Sequence, residues 1–115
     1  MRRGDIYLID YEPVRGSEVN KARPSVIVSN DAANMTVQRM GRGVVTVVPL
    51  TSNTSRVFPF QVLLSADECH LAKDSKAQCE QVRAVAVERV LRRVGTVPGQ
   101  RMNELDTALR RHLAL

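Results

Sequence analysis

The sequence predicts a small, mainly β domain with a helix at its C-terminal end. Three patterns predict it. Short apolar, often β-branched runs recur along the chain, such as Ser25-Val26-Ile27-Val28-Ser29 and Val44-Val45-Thr46-Val47-Val48, the composition of buried strands. Glycine, proline and small polar residues separate these runs, as turns require. Only near the end does the spacing change. Met102, Leu105, Leu109 and Leu113 recur at helical intervals, with Ala108 alongside, and so mark one face of a helix.

In chain order, Asp5 to Asp10 reads as the first strand. Tyr11 to Ala22, with Pro13 and Gly16, is a long loop, and such length in a small domain points to function or disorder. Pro24 biases Arg23 towards extended backbone, and the strand Ser25 to Ser29 follows. Arg23 is therefore expected at a loop-to-strand junction. Ser29-Asn30-Asp31 is a helix-capping cluster that starts a short helix through Gln38. After the turn Gly41-Arg42-Gly43, Val44 to Val48 is a buried central strand that Pro49 must close or edge. A loop from Thr51 to Pro59 leads to the strand Phe60 to Leu64. Ser75 to Ala86 is strand-like, with Cys79 as a small core residue. Val90 to Val97 is the last strand, broken off by Pro98-Gly99. Five or six short strands with a terminal helix suggest a partly open β-barrel of SH3-like type, one domain over residues 1–115.

Composition narrows the partners. The formal net charge is +5, with 14 arginines against 3 lysines, a bias that suits phosphate or carboxylate recognition. Acidic residues are interspersed, so the expectation is a basic face with a selective site rather than a polybasic tail. Aromatics are only Tyr7, Tyr11, Phe58 and Phe60, too few for a broad base-stacking sheet. No run approaches the roughly 18 apolar residues of a membrane span. No signal-peptide pattern follows Met1-Arg2-Arg3-Gly4-Asp5, and a cytoplasmic address is the default. Cys69 and Cys79 lack Cys-x-x-Cys spacing, and adjacent Cys69-His70 is poor chelate geometry, so neither a metal site nor a cofactor is expected.

Four blocks in order resemble the MazF/PemK/Kid family of toxin endoribonucleases. They are Asp10-x-x-Pro13-x-x-Gly16-Ser17-Glu18; Arg23-Pro24-x-Val26-x-Val28-Ser29; Val48-Pro49-Leu50-Thr51-Ser52; and Asp74-Ser75 through Glu80-Gln81-Val82-Arg83. The resemblance implies an SH3-like barrel, a homodimer, metal-independent cleavage of single-stranded RNA, and neutralisation by an antitoxin with which the toxin also binds DNA. An extended acidic antitoxin segment would lie across the active groove and displace the Tyr11–Ala22 loop. The family's essential arginine falls on Arg23, its hydroxyl residue on Thr51 and its loop acid on Glu18. Around them Lys21, Ser52, Asn53 and Gln81 are the candidate RNA contacts. Arg83 either joins them or ties strands together. The terminal helix has an apolar stripe larger than one short barrel needs; it either packs on its own barrel or, as the resemblance implies, joins neighbouring strands in the dimer interface. The segments Asn34 to Gly43 and Asn53 to Pro59 are the loops expected to select the cut site.

Such an enzyme aligns a 2′-hydroxyl for attack on the adjacent phosphate and stabilises the charge that develops there. A guanidinium binds phosphate oxygens in bidentate fashion, and a threonine hydroxyl adds a donor. Glu18 serves as base or orients Arg23. Read without the family, Arg23 is a solvated surface arginine, Thr51 bonds its own turn, and Glu18 is an exposed loop acid. His70 and His112 match no catalytic position of the family. Two other readings compete. A non-enzymatic gyrase poison like the CcdB toxins would need a C-terminal Trp-Gly-Ile, whereas this chain ends His112-Leu113-Ala114-Leu115 and has no Trp. A plain SH3-like binding module would not need Arg23 and Thr51 in their matching blocks.

Overall fold

The computed structural model describes residues 1–11 and 22–115; Glu18 and Lys21 lie outside the described residues. Within these, seven strands form β1 (Asp5–Asp10), β2 (Ala22–Ile27), β3 (Val44–Thr51), β4 (Gln61–Leu64), β5 (Ser75–Gln78), β6 (Arg83–Ala86) and β7 (Val90–Thr96). Helix α1 (Asp31–Met40) follows β2, the short α2 (Ala66–Cys69) follows β4, and α3 (Gly99–Leu113) ends the chain. The strand order is β4-β5-β3-β2-β1-β7, with β6 also paired to β3. Every pairing is antiparallel. The architecture is thus mainly β with a terminal helix, as predicted, but the sheet is open: β4 and β7 at its edges do not pair with each other. No helix among the described residues is long and apolar enough to cross a membrane.

Several boundaries differ from the sequence reading, each for a local reason. The strand-like run from Ser75 to Ala86 is two strands separated by the 3-10 turn Cys79–Gln81. Cys79 is fully buried, as expected, but in that turn. Arg23 lies inside β2, opposite Ile9, not at a junction before it. Helix α1 starts where the capping cluster put it and runs past Gln38 to Met40, so most of the Asn34–Gly43 segment expected to vary as a loop is helix. Asn30 caps α1 by accepting from Ala33 N–H at 2.8 Å, and Gly41, at φ 70°, closes it. Asn34 is buried and gives its Nδ2–H to the Ser29 carbonyl at 2.8 Å, which pins the helix to the end of β2. Helix α2 went unforeseen although its signal is present: Ser65 and Glu68 form a reciprocal capping box.

Pro49 sits within β3, not at its end. Thr46 accepts from Val28 N–H at 2.9 Å, so its backbone faces β2; alternation then turns Val47, Pro49 and Thr51 towards the other side. On that side the pairing with β6 stops at Val47, and the pairing with β5 starts at Leu50. The missing proline donor falls where β3 changes partners, so the strand accommodates it.

The two faces of the sheet bury separate apolar clusters. One holds Ile6, Val26, Val48, Leu50, Leu64 and Leu105 under α2 and α3. The other holds Ile9, Ile27, Val45, Val47 and Val85, with Val37 of α1 against it. Leu105 and Ala108 of α3 are buried in the chain's own core, with Met102 and Leu109 packed beside them. The helical stripe is therefore mostly used within one chain, and only its Leu113 end is exposed. Arg3 ties the N-terminal end to this frame, reaching the Val28 carbonyl at 2.8 Å and Asp106 of α3 at 2.6 Å.

Although the sheet is open, β7 closes against α2. An added Cβ at Gly95 would stand 2.4 Å from the Cys69 carbonyl oxygen, so that approach requires glycine. Gly95→Ala is expected to destabilise the fold by about 1–3 kcal/mol or more through overpacking, measured by urea unfolding. A second expectation concerns the thiols. Burial, first, and the neighbouring carboxylates push Cys69 up to about 11 and Cys79 up to about 12. Unfolded thiols ionise near 9, so these groups favour the native state fully below that pH. Stability should fall as pH rises from about 9 towards 11–12, and Cys69→Ala with Cys79→Ala should flatten that fall.

Candidate active site

Side chains that alternate along paired strands share one face, and on the second-cluster face they converge at one end of the sheet. Arg23 of β2 follows Ile27 and Ser25 at two-residue steps, and pairing sets it beside Ile9. Pro49 lies across from Ser25, and Arg83 across from Val47. Beyond Ile27 the face is covered by α1, so the open end is the one carrying Arg23.

Two cavities meet there. The first, of about 400 Å³, is lined by Arg23, Pro24, Leu50, Thr51, Ser52 and residues of the turn after α2, among them Lys73. The second, of about 300 Å³, is lined by Tyr11, Arg23, Pro49, Gln78, Gln81 and Arg83. Arg23 is the residue common to both, so it stands where the two halves of a groove join. No acidic residue among those described lines either half, and Arg23, Lys73 and Arg83 make the groove cationic.

The structure thus gathers most of the residues proposed from sequence. Arg23, Thr51 and Ser52 share the first cavity, and Arg23 and Gln81 share the second. Gln81 ends the 3-10 turn rather than lying on a strand. Asn53 lines neither cavity; its Oδ1 accepts from the Ser55 hydroxyl at 2.9 Å and from Ser55 N–H at 3.3 Å. Glu18 and Lys21 are outside the described residues. The turn chemistry anticipated for Thr51 is present, since Asn53 N–H donates to its Oγ1 at 3.3 Å. That bond uses an acceptor lone pair and leaves the hydroxyl proton available to a ligand.

Sequence reasoning missed Tyr11 and Gln78. Tyr11 is joined to the fully buried Ser25 hydroxyl at 2.5 Å. The Arg83 guanidinium lies 5.0 Å from the centre of its ring, within cation–π range. Burial raises the Tyr11 phenol above its ordinary value, while the Ser25 bond and the charges of Arg83 and Arg23 pull it back. The only signal in the sequence was the strand alternation of Tyr7, Ile9 and Tyr11.

Residues 2–113 match the family described as "PemK-like, MazF-like toxin of type II toxin-antitoxin system". The chain belongs to that family. It is 56% identical over 115 residues to "Endoribonuclease MazF9" of Mycobacterium tuberculosis, covering 100% of this chain and 98% of that protein. A 57-residue stretch, 50% of this chain and 61% of the relative, is 58% identical to "Probable endoribonuclease MazF1" of the same organism. Among solved structures, an "Endoribonuclease in complex with its cognate antitoxin from Mycobacterial species" aligns at TM-score 0.78 and 26% identity, covering 100% of this chain and 96% of that one. A MazE-MazF structure from Deinococcus radiodurans aligns at TM-score 0.80 and 22% identity, over 100% of this chain and 96% of that chain, a likeness of fold.

The contact of Arg83 with Tyr11 makes a spectroscopic prediction. In a Tyr7→Phe background, the Tyr11 phenol should titrate above the ordinary tyrosine value near 10. Arg83→Met should raise it further, because a nearby positive charge that favours the phenolate is gone. Ultraviolet absorbance titration reads both; a downward shift in Arg83→Met would contradict the geometry.

Proposed function

We propose that this chain is a cytoplasmic, sequence-specific endoribonuclease toxin that cuts single-stranded RNA by attack of a 2′-hydroxyl on the adjacent phosphate. The observation that carries this is Arg23 at the junction of two cavities, one with Thr51 and Ser52 and the other with Gln81 and Arg83. A phosphate held at that junction places one flanking nucleotide in each cavity. The full-length likeness to a protein named as an endoribonuclease supports the same reading over the gyrase-poison alternative.

In the proposed reaction Arg23 binds the nonbridging oxygens in bidentate fashion, and the Thr51 hydroxyl donates to the same phosphate. Both strengthen as the phosphorane gains charge, which is where a donor accelerates the step. The 2′-oxygen forms a bond to phosphorus as the bond to the 5′-oxygen breaks. The 2′-proton passes to Glu18 or water, and the departing 5′-oxygen takes a proton from the Arg23 side of the groove. The products are a 2′,3′-cyclic phosphate and a 5′-hydroxyl. The guanidinium supplies the positive charge, so the scheme needs no metal ion.

A homodimer and neutralisation by a cognate antitoxin complete the proposal. An acidic antitoxin segment would compete with RNA for the cationic groove. Because α3 buries Leu105 and Ala108 in its own chain, only its exposed face, Leu113 included, is open to such a dimer contact.

Arg23→Ala and Thr51→Ala should each lower cleavage of a long RNA roughly a hundredfold, equal to about 3 kcal/mol of transition-state stabilisation, with unchanged thermal unfolding. Arg23→Lys should also be poor, because ammonium lacks the planar fork. Wild-type cutting should persist in EDTA, and mass spectrometry should find the cyclic phosphate. Near-normal cutting by Arg23→Ala, or products with a 5′-phosphate, would refute the mechanism.

A further inference from the structure

Gln61 opens β4 and is only 8% exposed, yet both ends of its amide are engaged. Its Oε1 accepts from Phe58 N–H at 3.1 Å, and its Nε2 donates to Glu80 Oε2 at 2.8 Å. Its backbone N–H also donates to the Phe58 carbonyl at 2.9 Å. One buried side chain therefore joins two segments that are distant in sequence.

Each of these segments leads into the groove. Phe58 lies in the loop that begins at Thr51 and Ser52, which line the first cavity. Glu80 lies in the 3-10 turn immediately before Gln81, and Gln61 itself pairs across the β4–β5 ladder with Gln78. Gln78 and Gln81 line the second cavity. The same loop is held a second time by Lys76, 8% exposed, whose ammonium donates to the Arg56 carbonyl at 2.5 Å.

Stability alone does not explain the pair. Glu80 Oε1 is buried with no hydrogen-bond partner among the described residues. A buried carboxylate oxygen without a partner costs free energy, and two apolar side chains of similar shape would bury the same space without that cost. What the polar pair supplies is a bond of fixed direction between loop and turn.

We infer that Gln61 and Glu80 are positioning residues: their bridge sets the spacing between the Thr51–Ser52 wall and the Gln78–Gln81 wall of the groove. The inference rests on the endoribonuclease reading. It makes cut-site selection depend on two residues that lie behind the groove and need not touch RNA. A shift of about 1 Å in one wall is enough to cost up to roughly a hundredfold in rate.

The test compares Gln61→Leu, Glu80→Ala and Glu80→Gln with the wild type, each checked for folding by circular dichroism. The substrate is an RNA oligonucleotide carrying the wild-type protein's own cut site. Gln61→Leu and Glu80→Ala should lose about tenfold to a hundredfold in kcat/KM, mainly through KM, and should cut additional sites in a long RNA. Glu80→Gln should recover most of the loss, because its amide oxygen still accepts from Gln61. In the protein without RNA, amide hydrogen exchange should quicken at Phe58 in Gln61→Leu. Should Gln61→Leu fail to fold, the contrast between Glu80→Ala and Glu80→Gln carries the test. Glu80→Gln as poor as Glu80→Ala would show that charge, not the bridge, matters, and would overturn the inference. Wild-type cutting with Gln61→Leu and Glu80→Ala unimpaired would overturn this role alone. A wild-type protein that cuts no RNA would overturn the function and this role together.

Discussion

The groove exists because the β2–β3 ladder stops at Ser25 and Pro49. Val26 faces β3 in that ladder, so Pro24, two residues back, faces the same way and has no N–H to extend it. Pro49 faces the other side of β3, at the point where β6 has ended and β5 has just begun. Two prolines thus limit pairing from both sides of one short stretch. The backbone there is held by its neighbours yet closed off from further strand addition. Arg23 and Thr51, each next to or near one of these prolines, lie on strands rather than on loops. Their placement is as rigid as the sheet, which the proposed aiming of two donors at one phosphate requires.

The rest of the fold supplies the rigidity. The cluster under α2 and α3 fills one face, and its Leu50 also lines the first cavity of the groove. The opposite cluster is smaller and lies beneath α1, so that face is capped at one end only. At the edge of the open sheet, β7 meets α2 through a close backbone approach, Gly95 against Cys69. Arg101 braces the same corner by joining Glu68 of α2 to Glu104 of its own helix. The Ser65 N–H, followed by Arg101, holds the Glu68 carboxyl below its ordinary range, so the capping box and the ion pair act on one group. The turn after α2, which contributes Lys73 to the groove, is thereby positioned from two directions.

The sequence was legible where one strong local rule operated. The strand from Asp5 to Asp10, the β-branched core of β3 and the stripe of α3 follow directly from periodicity. Arg23, Thr51 and their neighbours came through the family blocks, because surface arginines and turn threonines carry no periodic signal. The errors arose where tertiary context overrode local chemistry. Pro49 reads as a strand breaker until the change of partner around it is known. Nothing local marks Asn34 as a buried residue until its two bonds to Ser29 are seen. The stripe of α3 looks surplus until the core beneath it is counted. Tyr11 and Gln61 were invisible for a related reason: their importance lies in bonds to residues far along the chain.

Charge distribution joins fold to function. Several acids are engaged away from the groove, Asp106 with Arg3, Asp5 with Arg93, and Glu68 and Glu104 with Arg101. Among the described residues the groove cations Arg23, Arg83 and Lys73 have no ion-pair partner. Within the groove itself, then, the described side chains carry positive charge and no described acid offsets it. A polyanion is attracted to such a site at long range, and salt weakens that attraction steeply. The same field favours an acidic polypeptide as readily as RNA. A groove built this way is open to inhibition by charge mimicry without any change in the residues proposed to be catalytic. On the proposed function, discrimination between the two ligands must then come from the uncharged walls, where Thr51, Ser52, Gln78 and Gln81 present hydroxyls and amides.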